Sequence, residues 1–228
     1  MLTDRWSTDL PDRPTLVVPL GSVEQHGAHL PLGTDTAVAA AVAVGLAARR
    51  PELLVAPPLA YGASGEHEAF PGTVSLGTEV LTAVLVEYGR SALRWAGRLV
   101  VVNGHGGNLD ALRAAVPLLR AEGRAVGWFA CGVPGGDAHA GRTETSLLLH
   151  LAPDAVRPDR AVAGATAPID ELLPRLRAGG VAAVSPNGVL GDPAGATAAE
   201  GAALLAGLVD RAVAAVDAWR VDPAGRLC

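Results

Sequence analysis

The amino-acid sequence predicts an α/β fold: a single domain with a mostly parallel sheet covered by helices on both faces. Three observations carry this. Short β-branched runs alternate with longer segments of helical periodicity, the pattern of right-handed strand–helix–strand crossovers. The chain has 228 residues, which suits one such domain. Half of its residues are hydrophobic, ample for one core. No internal repeat and no linker divides it, so residues 1–228 read as one domain, with residues 1–13 as a loose polar arm.

The elements follow in order. Thr15 to Leu20 is a buried-strand pattern. A polar loop runs from Gly21 to Asp35, and Thr36 can cap a helix reaching about Arg50. Leu53 to Ala56 is a second short strand, followed by a polar loop from Tyr61 to Thr73. Thr78 opens a helix whose apolar stripe is Leu81, Val84, Leu85 and Tyr88. Leu99 to Val102 is a third strand, and Asn108 can cap the helix that turns Leu109, Leu112, Val116 and Leu119 inward. Ala125 to Ala130 is a fourth strand, and a helix from Thr143 to about Leu151 follows the loop Gly132 to Arg142. Ile169 to Leu176 has helical spacing and stops at Gly179-Gly180. Val181 to Val184 reads as a late strand, and Thr197 with Glu200 forms a capping box for a helix reaching about Trp219.

Composition excludes several chemistries. The net charge is −5, so neither nucleic acid nor an anionic membrane is an expected partner. All 18 basic side chains are Arg. Without Lys there is no Schiff base, no phosphate-loop lysine and no lysine base, and Arg cannot substitute because it stays protonated. Two cysteines, Cys131 and Cys228, make no disulfide framework or C-x-x-C pair. With no signal-peptide core at residues 1–9, a cytoplasmic setting is expected. The apolar run Ala37 to Ala48 is too short to span a bilayer.

In parallel sheets ligands bind beyond the carboxyl ends of the strands. Here the polar clusters follow strand ends: Glu24 to Asp35, Tyr61 to Phe70, His105, then His139 and Glu144. Five of the six histidines, His26, His29, His67, His105 and His139, sit in these loops; His150 ends a helix, where a solvated role is the default. Glu24 and His26 are two apart, so in extended backbone both reach one cavity. Carboxylates with neutral imidazole suit Zn²⁺, Fe²⁺ or Mn²⁺. The plainer readings are that Asp35 caps a helix, His26 is a satisfied loop histidine and Glu144 offsets a helix dipole. Glu24, His26, Asp35, His105 and Glu144 are nevertheless more ligands than one ion needs. Two divalent ions about 3.5–4 Å apart would use them fully, with Asp35 the natural bridge because a carboxylate has two oxygens to divide. In Asn103-Gly-His105-Gly-Gly-Asn108 the glycines allow close backbone approach, and free N–H groups at Gly106 and Gly107 suit an oxyanion. There is no G-x-S-x-G elbow for a serine nucleophile. A Cys131–His139 pair is conceivable, but it leaves Glu24, His26, Asp35 and His105 without roles.

Taken together, Gly-Ser-Val-Glu24-Gln-His26-Gly-Ala-His29-Leu-Pro-Leu-Gly-Thr-Asp35-Thr, Asn-Gly-His105-Gly-Gly-Asn and His139-Ala-Gly-x-x-Glu144-Thr-Ser resemble the signature motifs of the creatininase-like metal-dependent amidohydrolases. The resemblance implies a binuclear site in which Glu24, Asp35 and His105 hold one ion and His26, Asp35 and Glu144 the other. It implies that His139 moves protons and that the protein is a homo-oligomer. One departure matters: creatininase has a Glu two residues after the later ligand histidine, where this chain has Gly107, which argues against creatinine as substrate. Tyr61-Gly-Ala-Ser-Gly-Glu66-His67, Pro134-Gly-Gly-Asp-Ala-His139 and Val181-Ala-Ala-Val-Ser-Pro-Asn-Gly-Val-Leu-Gly-Asp192-Pro are similar to the mycofactocin-system branch of that family. That branch implies a peptidase acting on a modified ribosomal precursor peptide and releasing its Val-Tyr-derived C-terminal unit, in redox cofactor biosynthesis. Glu66 and His67, on a facing loop, either hold substrate or are solvated loop residues, and His29 is expected to support the Glu24–His26 loop. The alternatives are a hydrolase of small cyclic amides or formamides, and a metal-binding assembly subunit without catalysis.

Overall fold

The computed structural model describes residues 1–228. Four strands, β1 (Thr15–Leu20), β2 (Leu54–Val55), β3 (Arg98–Asn103) and β4 (Val126–Ala130), form one sheet in the order β2-β1-β3-β4, every pair parallel. The continuous apolar reading of β1 and β3 follows from burial on both faces. Leu16, Val18, Leu20, Leu99 and Val101 point to one layer, packed by α2 (Thr78–Ala92) and α3 (Leu109–Ala121). Val17, Val100, Val102 and Phe129 point to the other, packed by α1 (Thr34–Arg49), α4 (Arg142–Leu151) and α6 (Ala198–Ala218). A smaller apolar cluster joins α5 (Ile169–Gly179) to Val181 and Leu190. No helix is long and apolar enough to cross a membrane.

The register decides where the chemistry goes. Leu20 pairs with Asn103, and Asn103 with Ala130, so β1, β3 and β4 end level. The loops that follow them therefore leave the same edge of the sheet. Two glycines let these loops close on the start of α1. A Cβ on Gly21 would stand 2.2 Å from Thr36 Oγ1, and one on Gly104 would stand 2.3 Å from the Asp35 carbonyl oxygen. Any side chain at either position would push Asp35 away from the sheet edge.

Four local expectations need correction. α1 begins at Thr34, and Thr36 does not cap it; its hydroxyl donates to the Ser22 carbonyl instead. Asn108 does not cap α3 with its side chain: its Oδ1 accepts from Ala63 N–H, and its Nδ2 donates to Gly21 O and Asn103 Oδ1. Val181–Ala183 is a 3-10 turn, because no strand edge lies beside it. Only half of the capping box forms at α6: Thr197 accepts from Glu200 N–H, while the Glu200 carboxylate pairs with Arg142 and Ser146. Residues 1–13 hold two short 3-10 turns, Leu2–Asp4 and Ser7–Asp9, with almost every residue exposed.

Candidate metal centre

At the shared sheet edge, loops from four parts of the chain bring Glu24, His26, Asp35, His67, His105, His139 and Glu144 together. All but Glu144 are buried. Three overlapping groups have ligand atoms close enough for one ion each: Glu24–Asp35–His105, His26–His139–Glu144, and Glu24–His67–His139. Asp35 divides its oxygens. Oδ1 lies 3.3 Å from His26 Nε2, and Oδ2 lies 3.3 Å from His105 Nδ1. Ser22 donates its hydroxyl to Oδ2, which fixes the carboxylate.

The Glu24 carboxylate is fully buried, and neither oxygen accepts a hydrogen bond. His67 Nε2 and His105 Nε2 approach it at 3.3 and 3.1 Å, but out of line. A buried anion without hydrogen bonds is costly, so the site is built for a cation between these groups. His26 is oriented for the same task. Its Nδ1 faces the Glu24 carbonyl oxygen at 3.1 Å and donates there, which leaves Nε2 directed at Asp35 and, 3.8 Å away, Glu144 Oε2. Glu144 Oε2 accepts from Ala140 N–H at 2.6 Å, an arrangement that needs the left-handed backbone of Ala140 at φ 52°. The donor set, carboxylates with imidazoles in a closed cluster, fits divalent Zn, Fe or Mn.

Electrostatics of the metal-free protein point the same way. Burial depresses the His26 imidazole, but the charges of Asp35, Glu144 and Glu24 outweigh it and raise its pKa to about 9. Burial opposes His105 as well, yet Glu24 and Asp35 hold it well above the usual histidine range. Protons thus occupy the places between carboxylates that cations would take. Burial raises the Glu144 carboxyl to about 7. His139 goes the other way: burial, then the charges of His26 and His67, push it well below the usual range. Its Nε2 donates to the Gln25 carbonyl oxygen at 2.8 Å, so its Nδ1 carries the free lone pair, 3.7 Å from Glu24 Oε1.

His29 is the sequence-selected residue that stays outside the cluster. Its Nε2 meets Thr145 Oγ1 at 3.0 Å, which ties the loop that carries Glu24 and His26 to α4 beside Glu144. Glu66 stands at the rim, its Oε1 3.4 Å from His105 Nε2. Burial would raise its carboxyl, but the hydrogen bond and charge of His105 hold it below the usual range. Gln25 is the residue that sequence reasoning passed over. Its Oε1 accepts from Gly27 N–H, and its Nε2 donates to Gly188 O at 3.0 Å and to His67 Nδ1 at 2.8 Å. It thereby locks His67 and, through its own carbonyl, His139. The Gly27 N–H, 2.9 Å from Oε1, holds the side chain in that position.

A cavity of about 560 Å³ opens onto the cluster past Glu66, His67, His105 and His139. Its far wall is α5, through Ile169, Leu173 and Leu176, which gives a role to a segment the motifs did not reach. Gly106 and Gly107 line it, and none of the turn and loop hydrogen bonds uses either N–H. A second depression of about 660 Å³ lies behind Val133–Thr143 and contains none of the clustered side chains except through their loop neighbours.

Comparison with known proteins identifies the family to which this fold belongs. The family model for creatinine amidohydrolase matches residues 3–216. The mycofactocin precursor peptide peptidase of Mycobacterium ulcerans (strain Agy99) is 58% identical over 97% of this chain and 92% of that protein. Among solved structures, a manganese creatininase superposes with a TM-score of 0.74 at 30% identity, covering 90% of this chain and 91% of the other. A zinc–zinc form of a creatininase variant superposes at 0.75 and 29% identity, covering 90% of each chain. By fold, by motif and by sequence, the chain belongs to the creatininase family of amidohydrolases.

Proposed function

We propose that this chain is a two-metal peptidase that hydrolyses an amide bond in the modified mycofactocin precursor peptide and releases its Val-Tyr-derived C-terminal unit. The observation that carries the metal part is Asp35, whose two oxygens are divided between His26 and His105 beside the unbonded Glu24 carboxylate. The substrate rests on the 58% identical relative of that name. In this reading Glu24, Asp35 and His105 hold one ion and His26, Asp35 and Glu144 the other. Homo-oligomerisation, implied by the family resemblance, belongs to the same reading.

Divalent ions bound there would supply Lewis-acid chemistry, activating water at neutral pH and drawing charge from the amide carbonyl. The protein's own groups do the rest. The peptide enters through the cavity under α5, with the scissile amide against Gly106 and Gly107, whose N–H groups stabilise the developing oxyanion. His139 Nδ1 takes the proton released on hydrolysis and returns it to the leaving amine. Gln25 holds the ring in that orientation. The deciding experiment is cleavage of the modified precursor peptide before and after chelation. Cleavage lost on chelation and restored by zinc, iron or manganese supports the reading; cleavage of small cyclic amides alone redirects the substrate.

Two expected results follow from the same electrostatics. Titrating zinc into metal-free protein near pH 7.5 should release roughly two protons per chain, from His26 and His105, with a further fraction from Glu144. Both imidazoles are held protonated without metal and must deprotonate to ligate, so uptake weakens as pH falls. Calorimetry in two buffers of different ionisation enthalpy measures the release, and zinc uptake with no proton release would contradict these ligands. Separately, Cys131→Ala should keep turnover within about twofold, because a buried thiol is inert. Burial pushes the Cys131 thiol up to about 12. Loss of cleavage with both ions retained would reopen a thiol mechanism.

A further inference from the structure

Glu66 has no part in the five-residue ligand set, yet its carboxylate stands at the His105 corner. We infer that Glu66 is a sixth member of the metal centre, supplying from the 65–67 turn the carboxylate that the chain lacks at Gly107, and holding the ion at the Glu24–Asp35–His105 group. The inference rests on the two-metal reading and extends it.

Space is the first argument. A Cβ on Gly107 would lie 2.5 Å from Glu66 Oε1, 2.4 Å from His105 Nε2 and 2.3 Å from the Ala63 carbonyl oxygen. Residue 107 can carry no side chain here: the Ala63 carbonyl and the His105 ring exclude it, and the Glu66 carboxylate stands in the same space. The departure from creatininase at Gly107 is therefore filled in space by a carboxylate from another loop. Contact is the second. Glu66 Oε1 is 3.4 Å from the same His105 nitrogen that lies 3.1 Å from Glu24 Oε2. His105 is the only ion-pair partner that Glu66 has.

The turn that carries Glu66 is also anchored. Ala63 N–H donates to Asn108 Oδ1, Ser64 N–H to Ser75 Oγ, and His67 N–H to Ser64 O. The backbone from which the Glu66 side chain reaches the His105 corner is thus fixed. Charge is the last argument. Glu24, Asp35 and Glu144 bring three negative charges against two divalent ions, and a buried excess charge is costly. Glu66 balances it. Its side chain is 34% exposed where Glu24 is 0% exposed, so it closes the centre on the cavity side.

The test is a zinc titration of metal-free protein against a chelating competitor. Glu66→Gln should weaken one of the two ions by roughly 10–100-fold and leave the other unchanged. Glu144→Gln should weaken the other ion, and the double variant both. Wild-type affinity for both ions in Glu66→Gln, with an unchanged melting temperature in chelator, overturns the inference. Uptake of fewer than two ions by the unsubstituted protein would instead overturn the two-metal reading itself.

Discussion

Asp35→Asn should leave the protein folded but unable to retain either ion, with peptide cleavage reduced on the order of 10³-fold or more. The substitution keeps the shape of the side chain and can still meet Ser22 Oγ. It removes the charge that lies 3.3 Å from both His26 and His105. Because one carboxylate serves both halves of the centre, the loss should not be confined to one ion. Elemental analysis after dialysis reads the stoichiometry, and melting in chelator reads the fold. One ion retained with partial turnover would mean that Asp35 is not shared. Two ions and full turnover would remove it from the centre.

Much of this arrangement is legible in the sequence, for reasons that differ by residue. β1 is read to the residue, because a strand buried on both faces is a continuous apolar run. The loop residues Glu24, Asp35, His105, His139 and Glu144 are legible as a group because parallel strands deliver their following loops to one edge. What local pattern cannot give is anything decided by tertiary neighbours. Val181 to Val184 has strand composition, but pairing needs an available edge, and it forms a 3-10 turn. Gln25 sits between Glu24 and His26, so alternation assigns it to the opposite face. Its amide nevertheless lies inward, held by Gly27 N–H, Gly188 O and His67 Nδ1, partners that alternation does not record. The approach of His67 to Glu24, and of Glu66 to Gly107, joins segments far apart in the chain. No periodicity records such a meeting.

His139→Gln separates proton transfer from metal holding, because His139 is close to both tasks. Its ligand atoms lie within one group with His26 and Glu144 and another with Glu24 and His67. Its neutral imidazole is the form that either task requires, so the variant decides between them. Burial, the largest influence on the ring, persists whether or not ions are bound, so the imidazole stays neutral at neutral pH. Donation from Nε2 to the Gln25 carbonyl then leaves Nδ1 as an acceptor facing the centre. A glutamine at this position can still donate to that carbonyl, but it has no group that takes and returns a proton near neutrality. The variant should bind two ions with wild-type affinity and bind substrate with little change in KM. Its kcat should fall roughly 10²- to 10⁴-fold. The limb of the pH–rate profile that belongs to this imidazole should vanish. If zinc titration instead shows one ion weakened in step with the loss of rate, His139 is a ligand, and proton transfer must fall to another group on the cavity wall, where His67 is the nearest cavity-lining imidazole, its ring centroid 4.5 Å away.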